Sequence, residues 1–250
     1  MKISVVILTC NQSALTLRCL ASLSPMAVPG AGSEVILVDN GSTDGTSDEV
    51  ARQFPGVRII RLPENVGVAR GRNTGLIAAR GTHLMILDND TIASPDTITA
   101  LSAYLETHPD VGLVAPLLRN PEGRVQASFK SYPGLGVKLR NVMRSKEVTS
   151  FATDIPADNF EPFYVIGAAQ MFTREVYEEA GGLDPAIFFG PEDADFCMAV
   201  RKSGRRVVCL PRLSIVHDWQ RATTRRLLSR AALLHARALV HFWLKHRRIF

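Results

Sequence analysis

Short apolar runs rich in β-branched residues alternate with stretches of helical spacing through the first half of the chain. The runs are Ile3 to Leu8, Glu34 to Val38, Val57 to Leu62, His83 to Leu87 and Val111 to Leu118. Between them, Ser13 to Leu23, a segment ending at Phe54, Asn65 to Ala79 and a segment opened by Ser94-Pro95 read as helices. Strands separated by helices at this spacing pair in parallel and bury both faces of one sheet. Ligands of such sheets bind at the carboxyl ends of the strands.

Asn120 to Phe163 breaks the rhythm with frequent Pro, Gly, Lys and Ser, and reads as an excursion over the site that shapes acceptor choice. Order returns with a strand from Val165 to Phe172, helices over Thr173 to Ala180 and Asp193 to Ser203, and a strand from Arg206 to Val216. A long helix is expected from Ala222 onward. With no repeat and no linker, the expected organisation is one domain over residues 1–220 and a basic amphipathic extension over residues 221–250.

Several classes fall away on composition. No run of eighteen or more apolar residues occurs, which excludes a membrane-spanning helix by length. The apolar run after Met1-Lys2 is too short for a secretory signal and reads as the first strand. Cys10, Cys19, Cys197 and Cys209 form no Cys-x-x-Cys pair, so neither a zinc site nor a disulfide framework is indicated. Free thiols on apolar segments fit a reducing compartment, and the expected location is cytoplasmic. No nucleic-acid partner is expected. Charge is segregated: residues 205–250 hold eleven Lys or Arg and one acidic residue, Asp218, whereas the 204 residues before them hold eighteen basic and twenty-three acidic. A patch of this kind answers an anionic surface.

The chemistry concentrates at strand ends. Asp88-Asn89-Asp90 closes a buried run, and alternate residues of a pleated segment share a face, so the two carboxylates can converge. Such a pair suits a hard divalent cation, and the cation in turn suits a diphosphate; the alternative is a plain strand-ending turn. Asp39 to Gly45 reads either as a Gly-rich turn with a helix cap or as a loop whose Asp39 accepts hydrogen bonds from a base or ribose. In Gly67 to Gly75 the glycines allow close backbone approach to a ligand, and Arg70 and Arg72 can meet phosphate. The dinucleotide glycine pattern is missing from the first strand-helix turn, which disfavours a nicotinamide-binding fold. Glu192, Asp193 and Asp195 either complement a helix N-terminus, worth ~0.3–1 kcal/mol, or supply a general base whose pKa the upstream Ile187-Phe188-Phe189 raises. His217, at another strand end, is either structural or a metal ligand.

Taken in order, Val5 to Asn11, Val38 to Gly45, Asn65-Val66-Gly67 with Asn73-Thr74-Gly75, Asp88-Asn89-Asp90, Gly181 to Asp184, Glu192 to Asp195 and His217 resemble the family 2 inverting glycosyltransferases over about residues 1–220. The resemblance implies a GT-A fold: α/β, with a mostly parallel central sheet and helices on both faces. It implies that Thr9, Asn11 and Asp39 line the nucleoside pocket, closed by Arg70 or Asn73, with Asp88 and Asn89 also on the nucleotide-sugar. Asp90 and His217 would hold Mg²⁺ or Mn²⁺ on the diphosphate. Asp193 matches the catalytic base, and Glu192 and Asp195 would orient the acceptor. The partners so implied are a nucleotide-diphosphate sugar (UDP- or dTDP-linked) and a glycan or lipid-linked acceptor.

No Gln-x-x-Arg-Trp motif of processive members is present, since Asp218-Trp219-Gln220-Arg221 does not match it. Single-sugar transfer is therefore expected. Ile166 to Ala169 and Gly182-Leu183-Asp184 look like members that build bacterial cell-surface glycans, rhamnosyltransferase-like ones among them. Two other readings remain at this stage: a catalytically idle sugar- or partner-binding module on the same fold, and a nucleotidyltransferase, although Thr9 to Gln12 is not the Gly-rich basic signature the latter needs.

In the C-terminal helix Arg226, Arg230, Arg237, His241 and Arg248 share one stripe, while Leu227, Leu228, Leu234, Leu239, Phe242 and Trp243 occupy other faces. It either packs on the domain with a solvated basic face or lies on anionic lipid at the inner face of the membrane, with Phe242 and Trp243 at the interface.

Overall fold

The computed structural model describes residues 2–28, 30–134, 151–152, 154–218 and 230–247. Its strands are β1 (Ile3–Thr9), β2 (Ser33–Asn40), β3 (Arg58–Leu62), β4 (His83–Asp88), β5 (Thr91–Ile92), β6 (Val111–Arg119), β7 (Phe129–Lys130), β8 (Tyr164–Val165), β9 (Ala169–Thr173) and β10 (Arg206–His217). The helices are α1 (Ser13–Ser22), α2 (Thr46–Gln53), α3 (Val68–Ala78), α4 (Pro95–Thr107), α5 (Arg174–Glu179), α6 (Glu192–Lys202) and α7 (Arg230–His246). Ser94 caps α4 by accepting from Asp96 N at 3.1 Å, as the cap-then-proline order predicts.

Eight strands form the central sheet in the order β3-β2-β1-β4-β9-β6-β10-β5. Neighbours from β3 to β4 run parallel, as do β6 and β10. Strand β9 enters antiparallel between β4 and β6, and β5 runs antiparallel to β10. The single strand expected from Val165 to Phe172 is two: β8 pairs with β7 in a small separate sheet, and β9 starts at Ala169. The chain breaks at Gly167, whose carbonyl accepts from the buried guanidinium of Arg72 at 2.9 Å instead of joining a ladder.

Both faces of the sheet are covered. In β1, Val5 and Ile7 join Leu20 of α1, Val50 of α2 and Leu101 of α4 on one side, while Val6 joins Leu76 of α3, Val176 of α5, Phe196 of α6 and Phe242 of α7 on the other. Fully burying each such side chain contributes about 1.5–3 kcal/mol. Helix α3 lies so close to the sheet that a Cβ on Gly75 would overlap Val6 and Val38. A Cβ on Gly67, at φ +90°, would meet Phe188 O at 2.7 Å. Packing therefore accounts for glycine at both positions, and Gly67 also lines the main cavity.

Helix α7 packs on the domain. Phe242 is fully buried, and Trp243 Nε1 donates to Pro133 O at 3.1 Å. Of the two readings of this helix, packing on the domain is the one seen, and the placement of these two aromatics at lipid in the other is corrected: the apolar core takes one, and a backbone carbonyl takes the indole of the other. Residues 222–229, with Arg226, Leu227 and Leu228, lie outside the described residues, as does Arg248.

Candidate active site

A cavity of about 510 Å³ opens at the carboxyl ends of β1, β2 and β4. Thr9, Cys10, Asn40, Arg72, Asp88, Asn89, Asp90, Phe188, Phe189, Glu192 and Leu234 are among its lining residues. Strand β4 stops at Asp88, and Asn89-Asp90 is a turn into β5. Asp88 and Asp90 therefore approach each other through a turn rather than through strand alternation. The pairing of β5 with β10 sets Thr91 opposite His217, and Asp218 N donates to Asp90 O at 2.8 Å. One ligand atom each from Asp88, Asp90 and His217 then lies within 4.8 Å of the others.

The donor set fits a divalent cation. Asp90 Oδ1 is buried without a hydrogen bond of normal geometry, with His217 Nε2 at 3.3 Å. Gln126 Nε2 donates to His217 O at 2.9 Å, which fixes its amide so that Oε1 accepts from His217 Nδ1 at 2.7 Å. That leaves Nε2 facing the carboxylates, and a ring that gives up the Nε2 proton presents its lone pair to a metal there. Burial disfavours the charged ring, but Asp90, Asp88 and Asp218 outweigh it and hold the His217 pKa above its ordinary value. Two carboxylates and an imidazole suit Mg²⁺ or Mn²⁺.

Asn89 is buried in the turn, and its Nδ2 faces Thr9 Oγ1 at 3.1 Å, Gln12 Oε1 at 2.9 Å and Thr16 Oγ1 at 3.0 Å. It ties the acidic turn to the start of α1. Asn11 lies outside the cavity lining and joins the first two strand-helix loops, accepting from Thr43 N at 2.8 Å. Asp39 accepts from Ser42 N at 2.8 Å and from the Ser47 hydroxyl, and lines a separate cavity of about 340 Å³ with Thr43, Thr46 and Arg61.

Arg70 and Asn73 are not in the main cavity lining. Arg70 is exposed and donates to Pro185 O at 3.0 Å. Asn73 bonds Leu183 O and Leu183 N at 2.7 and 3.1 Å and accepts from the Tyr177 hydroxyl at 3.0 Å, clamping α3 to the Gly181–Leu183 loop. The buried cation is Arg72, which the sequence placed beside Arg70 without separating their roles. Its Nη2 donates to Asp88 Oδ1 at 2.6 Å, and its Nη1 donates to Glu192 Oε1 at 3.3 Å. Ala69, Arg72 and Leu76 are all buried on α3, at spacings of three and four, so helical phase was the signal that distinguishes Arg72.

The acidic run splits three ways. Glu192 is buried in the lining with Oε2 unpartnered; burial and then the Asp193 charge push its pKa up to about 7, against the pull of Arg72. Asp193 is half-buried, outside the lining, and accepts from Ala194 N at 2.7 Å. Asp195 is buried away from the cavity and accepts from Lys245 Nζ at 2.8 Å and His246 Nε2 at 2.7 Å, so it secures α7 and does not face an acceptor. Asp184 does likewise with His241 and Lys245, at 3.0 and 2.8 Å.

Among the thiols, burial pushes Cys19, Cys197 and Cys209 up to about 12. Cys10 is half-buried in the cavity lining, and burial raises it as well.

The architecture is that of the GT-A transferases. Residues 4–181 match the family model of Glycosyl transferase family 2, and the chain belongs to that family of glycosyltransferases. An N-acetylglucosaminyl-diphospho-decaprenol L-rhamnosyltransferase of Mycobacterium tuberculosis is 27% identical over 222 residues, which are 80% of this chain and 71% of the relative. The dTDP-rhamnosyl transferase RfbF of Shigella flexneri is 24% identical over 186 residues, 73% of this chain and 59% of the relative. The mannosyltransferase PcManGT of Pyrobaculum calidifontis, solved with GDP-Man and Mn²⁺, superposes with a TM-score of 0.64 at 25% identity, over 98% of this chain and 64% of that one. Membership sets the nucleotidyltransferase reading aside. No helix among the described residues is long and apolar enough to cross a membrane.

Proposed function

We propose that this glycosyltransferase moves one sugar, with inversion, from a nucleotide-diphosphate donor to a hydroxyl of a glycan or lipid-linked acceptor in cell-envelope polysaccharide or glycolipid synthesis. The grouping of His217 with Asp88 and Asp90, two carboxylates that line a carboxyl-edge cavity, carries the reading. The names of the two rhamnosyltransferase relatives favour a rhamnosyl donor, with a dTDP-linked one ahead of a UDP-linked one.

Asp90 and His217, with Asp88 beside them, would hold Mg²⁺ or Mn²⁺, which supplies positive charge to the departing diphosphate. The loops joined through Thr9, Asn11, Asp39 and Asn89 are assigned to the nucleoside end of the donor, with Arg72 as the buried cation behind it. Asp193 is assigned as the base: it takes the proton of the acceptor hydroxyl as that oxygen bonds to the anomeric carbon and the bond to the diphosphate breaks. A second reading gives this role to Glu192, because an unpartnered carboxylate oxygen with a pKa near 7 inside the cavity is poised for proton transfer.

Release of nucleoside diphosphate from dTDP- and UDP-sugars, with and without Mn²⁺, tests this on wild type, Asp193→Asn and Glu192→Gln. Loss of ~10²–10⁴-fold in Asp193→Asn alone is expected; the reverse pattern transfers the role to Glu192. A wild type that binds donor and Mn²⁺ without turning over on any acceptor offered supports the idle binding module.

A further inference from the structure

The two sides of α7 are built for different purposes. Its inner side is fully engaged: Ala238, Leu239 and Phe242 are buried, and His241, Lys245 and His246 are held by Asp184 and Asp195. On its outer side Leu233, Arg237, Val240 and Leu244 fall within an arc of about 60° and extend for roughly 16 Å along the axis, by ideal helical geometry, and Arg247 follows just past the helix end in a left-handed turn. The three aliphatic residues are 64%, 51% and 72% exposed, and both arginines are exposed. Single exposed aliphatics are ordinary, whereas three in register on a firmly anchored helix, with one cation among them and a second just past the helix end, form a surface.

We propose that this outer stripe docks on an anionic lipid bilayer, the aliphatic groups entering the headgroup boundary and Arg237 and Arg247 meeting lipid phosphates. Charge selects this occupant. No Asp or Glu follows Asp218 in the sequence, so the stripe has only positive charge to offer. Pairing with a second copy across a two-fold axis would set arginine-bearing stripes against each other without a carboxylate between them. Leu234, one residue along from Leu233, lines the cavity. Docking would therefore hold the cavity close to the bilayer, where a lipid-linked acceptor is met. The inference extends the proposed function in that respect and is independent of the donor chemistry.

Co-sedimentation of the full chain with phosphatidylcholine vesicles, and with vesicles that also contain phosphatidylglycerol, tests it. Binding to the anionic vesicles and at least tenfold less to the neutral ones is expected. The triple variant Leu233→Ser, Val240→Ser, Leu244→Ser should lose about tenfold or more, and Arg237→Glu about fivefold or more. Both variants should keep the wild-type melting temperature and its release of nucleoside diphosphate in solution. That solution readout separates failure of docking from failure of the proposed function. The inference is overturned if the wild type ignores anionic vesicles, if the triple variant binds them as the wild type does, or if the variant instead abolishes a wild-type dimer.

Discussion

Arg72 Nη2 lies 2.6 Å from Asp88 Oδ1, so the acidic turn after β4 is braced from within by a cation on α3. The same guanidinium reaches Glu192 Oε1 at 3.3 Å and links the turn to the first residue of α6. Arg72→Met removes the shared partner and leaves the buried Glu192 and the half-buried Asp88 without their cation, which costs at most about 3–5 kcal/mol. Arg72→Lys keeps one charge but cannot span both carboxylates, and should fall between wild type and Met. Urea unfolding of the three proteins measures the order.

The position of Gln126 makes it a support for His217 rather than a ligand. Gln126→Leu removes the acceptor that fixes the ring while leaving Asp90 and His217 in place. Mn²⁺ affinity, read by calorimetry in the presence of nucleoside diphosphate, should weaken by ~10–100-fold with little change in secondary structure. Unchanged affinity would refute the support role of Gln126.

The Glu192 carboxyl makes stability depend on pH with a definite sign. Its pKa is about 7 in the folded chain, raised chiefly by burial from an ordinary value of 4.5. Between those two values the folded state binds the proton that the unfolded state has released. This contribution is complete below pH ~4.5 and is lost as pH rises through ~7. Glu192→Gln should flatten that slope. Melting temperatures of both proteins from pH 5 to 8 test it, and parallel curves would refute the assignment.

Asp195 holds α7 through Lys245 and His246, at 2.8 and 2.7 Å. Asp195→Asn weakens two charge-assisted bonds, worth about 1.5–3 kcal/mol each at most. Backbone amides of α7 should then exchange faster with solvent, while those of β1 and β4 keep their protection. Hydrogen-exchange mass spectrometry resolves the two groups.

Much of the fold was legible because the central strands are continuous apolar runs. Val5, Val6, Ile7 and Ile36, Leu37, Val38 are buried on both faces and announce parallel strands by composition alone. The antiparallel entry of β9 was not legible, since pairing between β4 and β6 is a long-range relation with no local signature. Asp88, Asp90 and His217 were legible as strand-end residues, but the turn that joins the aspartates and the register that adds the histidine were not. Gln126 lies in a stretch without periodicity, and nothing in its neighbours marks it. Asn73 and Asp195 stood in the right motifs, yet the side chain of Asn73 bonds the Gly181–Leu183 loop and Tyr177, and that of Asp195 bonds the C-terminal helix, partners that motif spacing does not encode.

Cys10 stands apart from its three buried counterparts by lining the cavity beside Thr9. Its thiol is the one that a small alkylating reagent meets first in the native protein, and a nucleotide seated in the cavity would shield it. The enzyme thus carries an intrinsic reporter of occupancy: the alkylation rate at a single native position, followed by intact mass, would rank candidate donors without any label or coupled assay.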